Sequence, residues 1–218
     1  MIELHDGTLV VAHSDDLLEV SHGAAAGRVT TRSLAALRAV APELPTFGEA
    51  LELLGASERV GLHVDLKGRG LEAAVARAIR RHGLIERSVV STFHAPSLLR
   101  LREVEPGLAR GLTYPVDRYG LAGRRLLAPV VVSAAAALRR ALPRRIERML
   151  GDVGASAAML HFSVVSQAAV ERAHAMGVAV FAWTVDDEAL VSSMAAAGVD
   201  GVITNDPRIF TRADYSEG

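Results

Sequence analysis

Three side chains stand out for the chemistry they could carry: His13, Asp65 and Lys67. In Val60-Gly61-Leu62-His63-Val64-Asp65-Leu66-Lys67, polar and apolar residues alternate. Residues two apart on a strand share a face, so His63, Asp65 and Lys67 point one way and Leu62, Val64 and Leu66 the other. A carboxylate beside an ammonium at the end of a buried strand can hold a metal ion and a phosphate together. The same two groups could form an ion pair that only closes a core layer. Burying such a pair is costly unless other groups use it, which tilts the reading toward a site. His13 ends a second apolar run, Leu9-Val10-Val11-Ala12; a lone histidine at a strand end is more often incidental than catalytic, and its context raises the odds, since an imidazole can move a proton near neutral pH.

Lys67 is distinctive for another reason. Of 24 basic residues it is the one lysine; the others are arginine. A chain rich in alanine and arginine suits a GC-rich coding sequence, and a lysine that survives that bias calls for a reason. Its compact point charge fits tight pockets that the broad guanidinium fork does not.

The elements that must position these groups alternate along the chain. The spacing predicts strands at Leu9–Ala12, Val60–Lys67, Ser88–Phe93, Ala109–Thr113, Ala157–His161, Val178–Val185 and Val199–Thr204. Asp6-Gly7 is a hairpin-turn signal ahead of the first. Thr46 and Glu49 have capping-box spacing for a helix through Leu54. Leu71–His82 reads as a helix stopped by Gly83. Ser97 is the expected cap of a helix through Val104, Ser166 of one ending before Gly177, and Asp186 of one ending at Gly198. Residues 117–152 read as a helical insertion with five arginines, from Arg139 to Arg148, around Pro143. The preferred reading is a solvated amphipathic helix pair, with a lid or a contact with anionic lipid as alternatives. About six βα units after a hairpin imply a parallel sheet. A doubly wound sheet would announce itself with a glycine-rich phosphate loop after its first strand, and none is present. Polar and aromatic residues gather instead at strand C-terminal ends (Asp65, Lys67, Phe93, His161, Trp183 and Thr204), where a barrel builds its site.

Composition narrows the field. With 218 residues, half of them hydrophobic, the chain is long enough for one sizeable core and short for two, so residues 1–218 read as a single domain. A formal charge of −1 gives no bulk pull toward nucleic acid or an anionic membrane. Without cysteine there are no disulfides or thiolate metal sites. No apolar run is long enough to span a bilayer, and the first residues lack the basic head and apolar run of a signal peptide, so a cytoplasmic location is expected.

Several segments, taken in order, resemble one family. Asp6-Gly7-Thr8-Leu9-Val10-Val11-Ala12-His13 resembles the glycerophosphodiester phosphodiesterase signature, in which a D-G turn leads into an apolar strand ending in His-Asp. Asp65-Leu66-Lys67 resembles the family's Glu-x-Lys, and Ser91-Thr92-Phe93-His94 its Ser-Phe-Asp. Phe181-Ala182-Trp183-Thr184-Val185-Asp186 resembles its Trp-Thr-Val-Asn, and Val199 to Pro207 its closing Asp-Gly-Ile-Ile-Thr-Asp-x-Pro. Three positions depart: Ser14 stands for Asp, Asp65 for Glu and His94 for Asp. The resemblance implies a (β/α)8 TIM barrel and metal-dependent hydrolysis of a glycerophosphodiester to an alcohol and glycerol 3-phosphate, with a glycerophosphodiester or a lysophospholipid as the small-molecule partner. It implies Asp65 as a metal ligand and His13 as general acid. It also implies Lys67, Phe93, His161 and Trp183 around the substrate, with calcium or magnesium as cofactor. Alternatives are a lysophospholipase D or sphingomyelinase-like phosphodiesterase sharing the same fold and site, and a non-catalytic remnant that binds a ligand or partner.

The family also opens with His-Arg-Gly and Glu-x-Asp strands ahead of the D-G turn, whereas only Met1 to His5 precede Asp6 here. The expectation is therefore an incomplete barrel, lacking the first strand, first helix and most of the second strand. Edges would be left at Val60–Lys67 and Val199–Thr204. Activity would be impaired in the chain as written, and a start further upstream is the favoured explanation over a truncated product or strands supplied by another chain.

Overall fold

The computed structural model describes residues 1–116 and 128–210. The chain divides into two compact units, Met1–Arg110 and Gly111–Gly218.

The first unit opens with an antiparallel hairpin. Strand β1 (Ile2–Glu3) pairs with β2 (Leu9–Val10), with Ile2 opposite Val10 and Glu3 opposite Leu9. The predicted Asp6-Gly7 turn is there. Gly7 has φ +84°, which costs a residue without Cβ nothing, and the Asp6 carboxylate accepts from Thr8 N at 2.9 Å. Ile2, Leu4 and Val10 pack with Leu17, Val29, Leu37 and Leu44, which come from the connection after the hairpin. That connection holds two short helices absent from the predicted elements, α1 (Leu17–Val20) and α2 (Leu34–Arg38). Each is little more than one turn, too short for apolar periodicity to register.

Helix α3 (Phe47–Gly55) starts where the capping box places it. Thr46 Oγ1 accepts from Glu49 N at 3.2 Å, and Glu49 Oε2 accepts from Thr46 N at 2.7 Å. Strand β3 (Leu62–Asp65) lies parallel to β4 (Ser88–Thr92), with Asp65 opposite Ser91. The strands are shorter than the apolar runs that announce them, because the ladder ends before the runs do. The alternation holds: Val64 and Leu66 are buried, while His63, Asp65 and Lys67 stand on the more open face. Helix α4 (Glu72–Arg81) covers this sheet with Val75 and Ile79, both fully buried. Helix α5 (Ala95–Val104) starts one turn earlier than predicted. Its N-cap is His94, and Ser97 is a buried residue inside the first turn, because Pro96 suits a helix's first positions.

In the second unit, β5 (Ala109–Tyr114, which crosses the unit boundary), β6 (Ala157–His161), β7 (Ala179–Trp183) and β8 (Gly201–Val202) run parallel in that order. The described part of the insertion forms α6 (Ala128–Ala141) and α7 (Ile146–Val153); residues 117–127 lie outside the described set. Helix α7 buries Ile146, Leu150 and Val153 and ends on Gly154 in the left-handed region. Ser166 caps α8 (Gln167–Ala175) as predicted.

Helix α9 (Glu188–Ala196) is capped by Asp187 rather than Asp186. Asp186 is engaged elsewhere. Its carboxylate accepts from Asn205 N at 2.8 Å, from Asn205 Nδ2 at 2.9 Å and from Thr204 Oγ1 at 3.0 Å. These bonds hold its carboxyl below the ordinary aspartate range, the Asn205 backbone N–H foremost. Two motifs that look independent in sequence thus close on each other. Asp200 plays a similar part, with Oδ2 accepting from Val180 N at 2.7 Å and meeting His174 Nε2 at 2.8 Å. Among the described residues, no helix is long and apolar enough to cross a membrane.

Two outcomes follow from the α3 cap. Replacing Thr46 with Ala should cost about 1 kcal/mol in urea unfolding, the usual worth of a side-chain cap. Glu49, bonded to Thr46 and to Arg38, has its pKa lowered from 4.5 to about 2. A carboxyl depressed in the folded state stabilises above its unfolded value and loses that contribution as pH falls through the folded one. The stability difference between the parent and Glu49→Gln should therefore be full above pH 4.5 and shrink toward pH 2, read as a converging denaturation midpoint.

Candidate active site

His13, His63, Asp65 and Lys67 line one cleft of about 400 Å³ in the first unit, with Phe47 and Leu54 on its apolar side. The hairpin delivers His13, three residues beyond the end of β2. Strand β3 delivers His63 and Asp65 by alternation, and Lys67 follows two residues past its end. Two of the groups form an ion pair: Lys67 Nζ lies 2.7 Å from Asp65 Oδ2. Both side chains keep about a third of their surface open (34% and 35%), so the pair is reachable from solvent and worth little as a stabilising bridge. Asp65 Oδ1 is buried and has no hydrogen-bond partner. A bare carboxylate oxygen cut off from water is an expensive group to keep unless something positive comes to it. Lys67 also borders a second cleft of about 350 Å³ with Asp15, Thr30 and Arg69.

The electrostatics follow from these contacts. His63 Nε2 lies 2.8 Å from Ser91 Oγ on the neighbouring strand. The residue presents open surface, yet its bonded nitrogen is partly enclosed. That enclosure pushes its pKa below the ordinary histidine value, with Asp65 opposing the shift and Lys67 adding to it. His63 therefore favours the neutral form. His13 is open, with 77% of its side chain exposed, and its Nδ1 lies 2.9 Å from Glu19 Oε1.

Phe93 is half-buried, one residue past the C-terminal end of β4, and so at the same end of the first unit's sheet as Asp65. His161 and Trp183 are brought together within the second unit. They sit side by side at the C-terminal ends of β6 and β7. Their rings meet edge to face with centroids 4.9 Å apart. Trp183 Nε1 donates to Met159 O at 2.9 Å, which fixes the indole. His161 Nδ1 lies 2.7 Å from Ser163 Oγ, and burial lowers its pKa. The placement of polar and aromatic groups at strand C-termini thus holds in each unit separately.

Two participants escaped sequence reasoning. Ser91 was visible as a motif residue but not as a partner of His63. Glu19 carried only one signal, the Asp16-x-x-Glu19 spacing at a helix start, and that spacing says nothing of His13.

With the geometry in hand, comparison with known proteins is informative. Residues 3–209 match the model of the "Glycerophosphoryl diester phosphodiesterase family". A glycerophosphodiester phosphodiesterase of Caldanaerobacter subterraneus subsp. tengcongensis is 27% identical over 93% of this chain and 78% of that protein. Among solved structures, a glycerophosphodiester phosphodiesterase from Agrobacterium tumefaciens superposes with TM-score 0.69 at 18% identity, over 96% of this chain and 83% of its own. An Oleispira antarctica phosphodiesterase, solved with the product sn-glycerol-3-phosphate, superposes with TM-score 0.66 at 22% identity, over 93% and 77%. These likenesses show the α/β barrel class that the strand-end residues and the family resemblance implied. A match over nearly the whole chain carries more than fold: this protein belongs to the glycerophosphoryl diester phosphodiesterase family, whose named relatives are phosphoric diester hydrolases.

Proposed function

We propose that this chain hydrolyses a glycerophosphodiester, releasing an alcohol and glycerol 3-phosphate. The observation that carries this reading is the shared cleft of His13, Asp65 and Lys67. The Oleispira relative, solved with sn-glycerol-3-phosphate, supports the substrate class.

Hydrolysis attaches a water oxygen to phosphorus and breaks the bond to the leaving alcohol oxygen. The phosphoryl oxygens gain negative charge on the way, and the leaving oxygen needs a proton. Lys67 stands ready for the first demand. Its ammonium is held by Asp65 on one side and open on the other, and a fixed cation aimed at developing charge accelerates such a step. His13 meets the second. With Nδ1 engaged by Glu19, Nε2 is the ring nitrogen available to protonate the leaving oxygen. Phe93, at the same end of the first unit's sheet as Asp65, offers a rigid apolar wall for the glycerol side.

Asp65 fits one ligand position of a divalent cation, because Oδ1 is buried, anionic and without a donor. Among the described residues no cluster of three His, Asp or Glu side chains completes a protein cage. That donor set suits the mode in which magnesium or calcium is held by one or two carboxylates, with water and the substrate's own phosphate oxygens filling the other positions. A cation so bound would neutralise phosphate charge.

Glycerophosphocholine, glycerophosphoethanolamine and a lysophospholipid, assayed for released glycerol 3-phosphate or the lysophospholipid's corresponding product, test the reading. Turnover should be lost on chelation and restored by magnesium or calcium. His13→Ala and Lys67→Ala should each lower kcat/KM by roughly 10²–10³-fold, the usual cost of a lost proton donor or charge-stabilising group. Asp65→Asn should abolish the response to added metal. Variants at 13 and 67 that turn over as fast as the parent would defeat the assignment.

A further inference from the structure

We propose that Glu19 is a positioning residue for His13, holding the ring so that Nε2 faces the cleft. The inference rests on the role given to His13 above and deepens it. Glu19 divides its two oxygens between two partners. Oε1 lies 2.9 Å from His13 Nδ1, and Oε2 accepts from Ser14 Oγ at 2.6 Å. A carboxylate bonded to one imidazole nitrogen selects the tautomer that carries its proton there, fixes the ring plane and stabilises the cation the ring becomes.

Glu19 reaches back to His13 because α1 is short and firmly anchored. Leu17 is buried, and Leu17 N donates to Gly27 O at 2.9 Å. Asp16 caps the helix, accepting from Leu18 N at 3.0 Å. Asp15 is gripped by Arg28 Nε at 2.6 Å and by Thr30 N at 2.8 Å. The backbone under this loop is therefore fixed while the histidine and the glutamate it presents stay open. That is the usual division between a rigid scaffold and a working loop. The family pattern carries an aspartate beside the histidine; here the Ser14 hydroxyl stands in its place and serves as the lateral grip on Glu19.

The groups facing this pair are few. Ser14 and His13 bond the Glu19 carboxylate and keep it below the usual glutamate range, and the charge of Lys67 adds to them. Glu19 thus stands behind His13, which lines the cleft with Asp65 and Lys67.

Ring-nitrogen NMR of the ¹⁵N-histidine-labelled full chain, with His13→Ala for assignment, tests the contact without reference to turnover. In the parent, the neutral His13 ring should carry its proton on Nδ1. In Glu19→Gln it should move toward the ordinary mixture dominated by Nε2–H. Glu19→Gln should lower kcat by roughly 10–100-fold, the scale seen when the partner orienting a functional histidine is lost, with KM within about twofold. Glu19→Asp should recover part of that loss. Ser14→Ala, which frees only Oε2, should cost less than Glu19→Gln. Thermal midpoints should stay together, because the loop is anchored through Asp15, Asp16 and Leu17. Identical His13 ring shifts in the parent and Glu19→Gln would overturn the proposal, as would an unchanged kcat in an active parent background. If the parent shows no turnover, the hydrolase reading fails, and the ring spectra alone decide whether Glu19 holds His13.

Discussion

A carboxylate with one oxygen held by an ammonium and the other buried without a donor is the arrangement on which the rest of this site depends. Folding does not place an anion in a dry position for stability, since desolvation costs more than a half-exposed ion pair returns. The cations the fold sets beside Asp65 are the Lys67 ammonium on Oδ2 and the Met1 ammonium, which donates to the Asp65 carbonyl at 3.1 Å. The position of Lys67 follows from the same residue. It is held at the open end of β3, where its charge faces the cleft instead of dispersing into solvent.

The first unit achieves this with ordinary means. Parallel pairing of β3 with β4 fixes the face on which Asp65 appears, because a one-residue slip would turn Val64 and Leu66 to the open face and bury the charges. The hairpin of β1 and β2 is short, but it packs Ile2 and Val10 into a core shared with the loop helices, so the residue that ends it is placed reproducibly. The second unit uses aspartates as staples. Asp186 and Asp200 spend their carboxylates on backbone N–H groups and neighbouring side chains, which explains the acidic residues of its two motifs without assigning them chemistry.

Fold class, strand order in the chain and the starts of α3, α4 and α8 were legible in the residues themselves. Alternation with period two marked Val64 and Leu66 as the face that packs and His63, Asp65 and Lys67 as the opposite face, because side-chain direction in a strand is a local property. The Thr46–Glu49 capping box and the Asp6-Gly7 turn were legible for the same reason. Caps defined by competing neighbours were not. Ser97 yielded to His94 once Pro96 took an early helix position, and Asp186 yielded to Asp187 once Asn205 claimed it, a partner 19 positions away.

Local chemistry therefore determined which residues could carry function: the one lysine, the carboxylate two positions before it and the histidine at the hairpin's end. Tertiary structure alone decided that His13 shares a cleft with Asp65, that Asp65 Oδ1 is left without a donor, that Ser91 meets His63, and that Glu19 returns to the ring of His13. Each of these is a meeting between segments, or a count of what fails to arrive at a buried atom. Spacing along a chain specifies direction and periodicity, but through-space proximity appears only after the core has closed and excluded water.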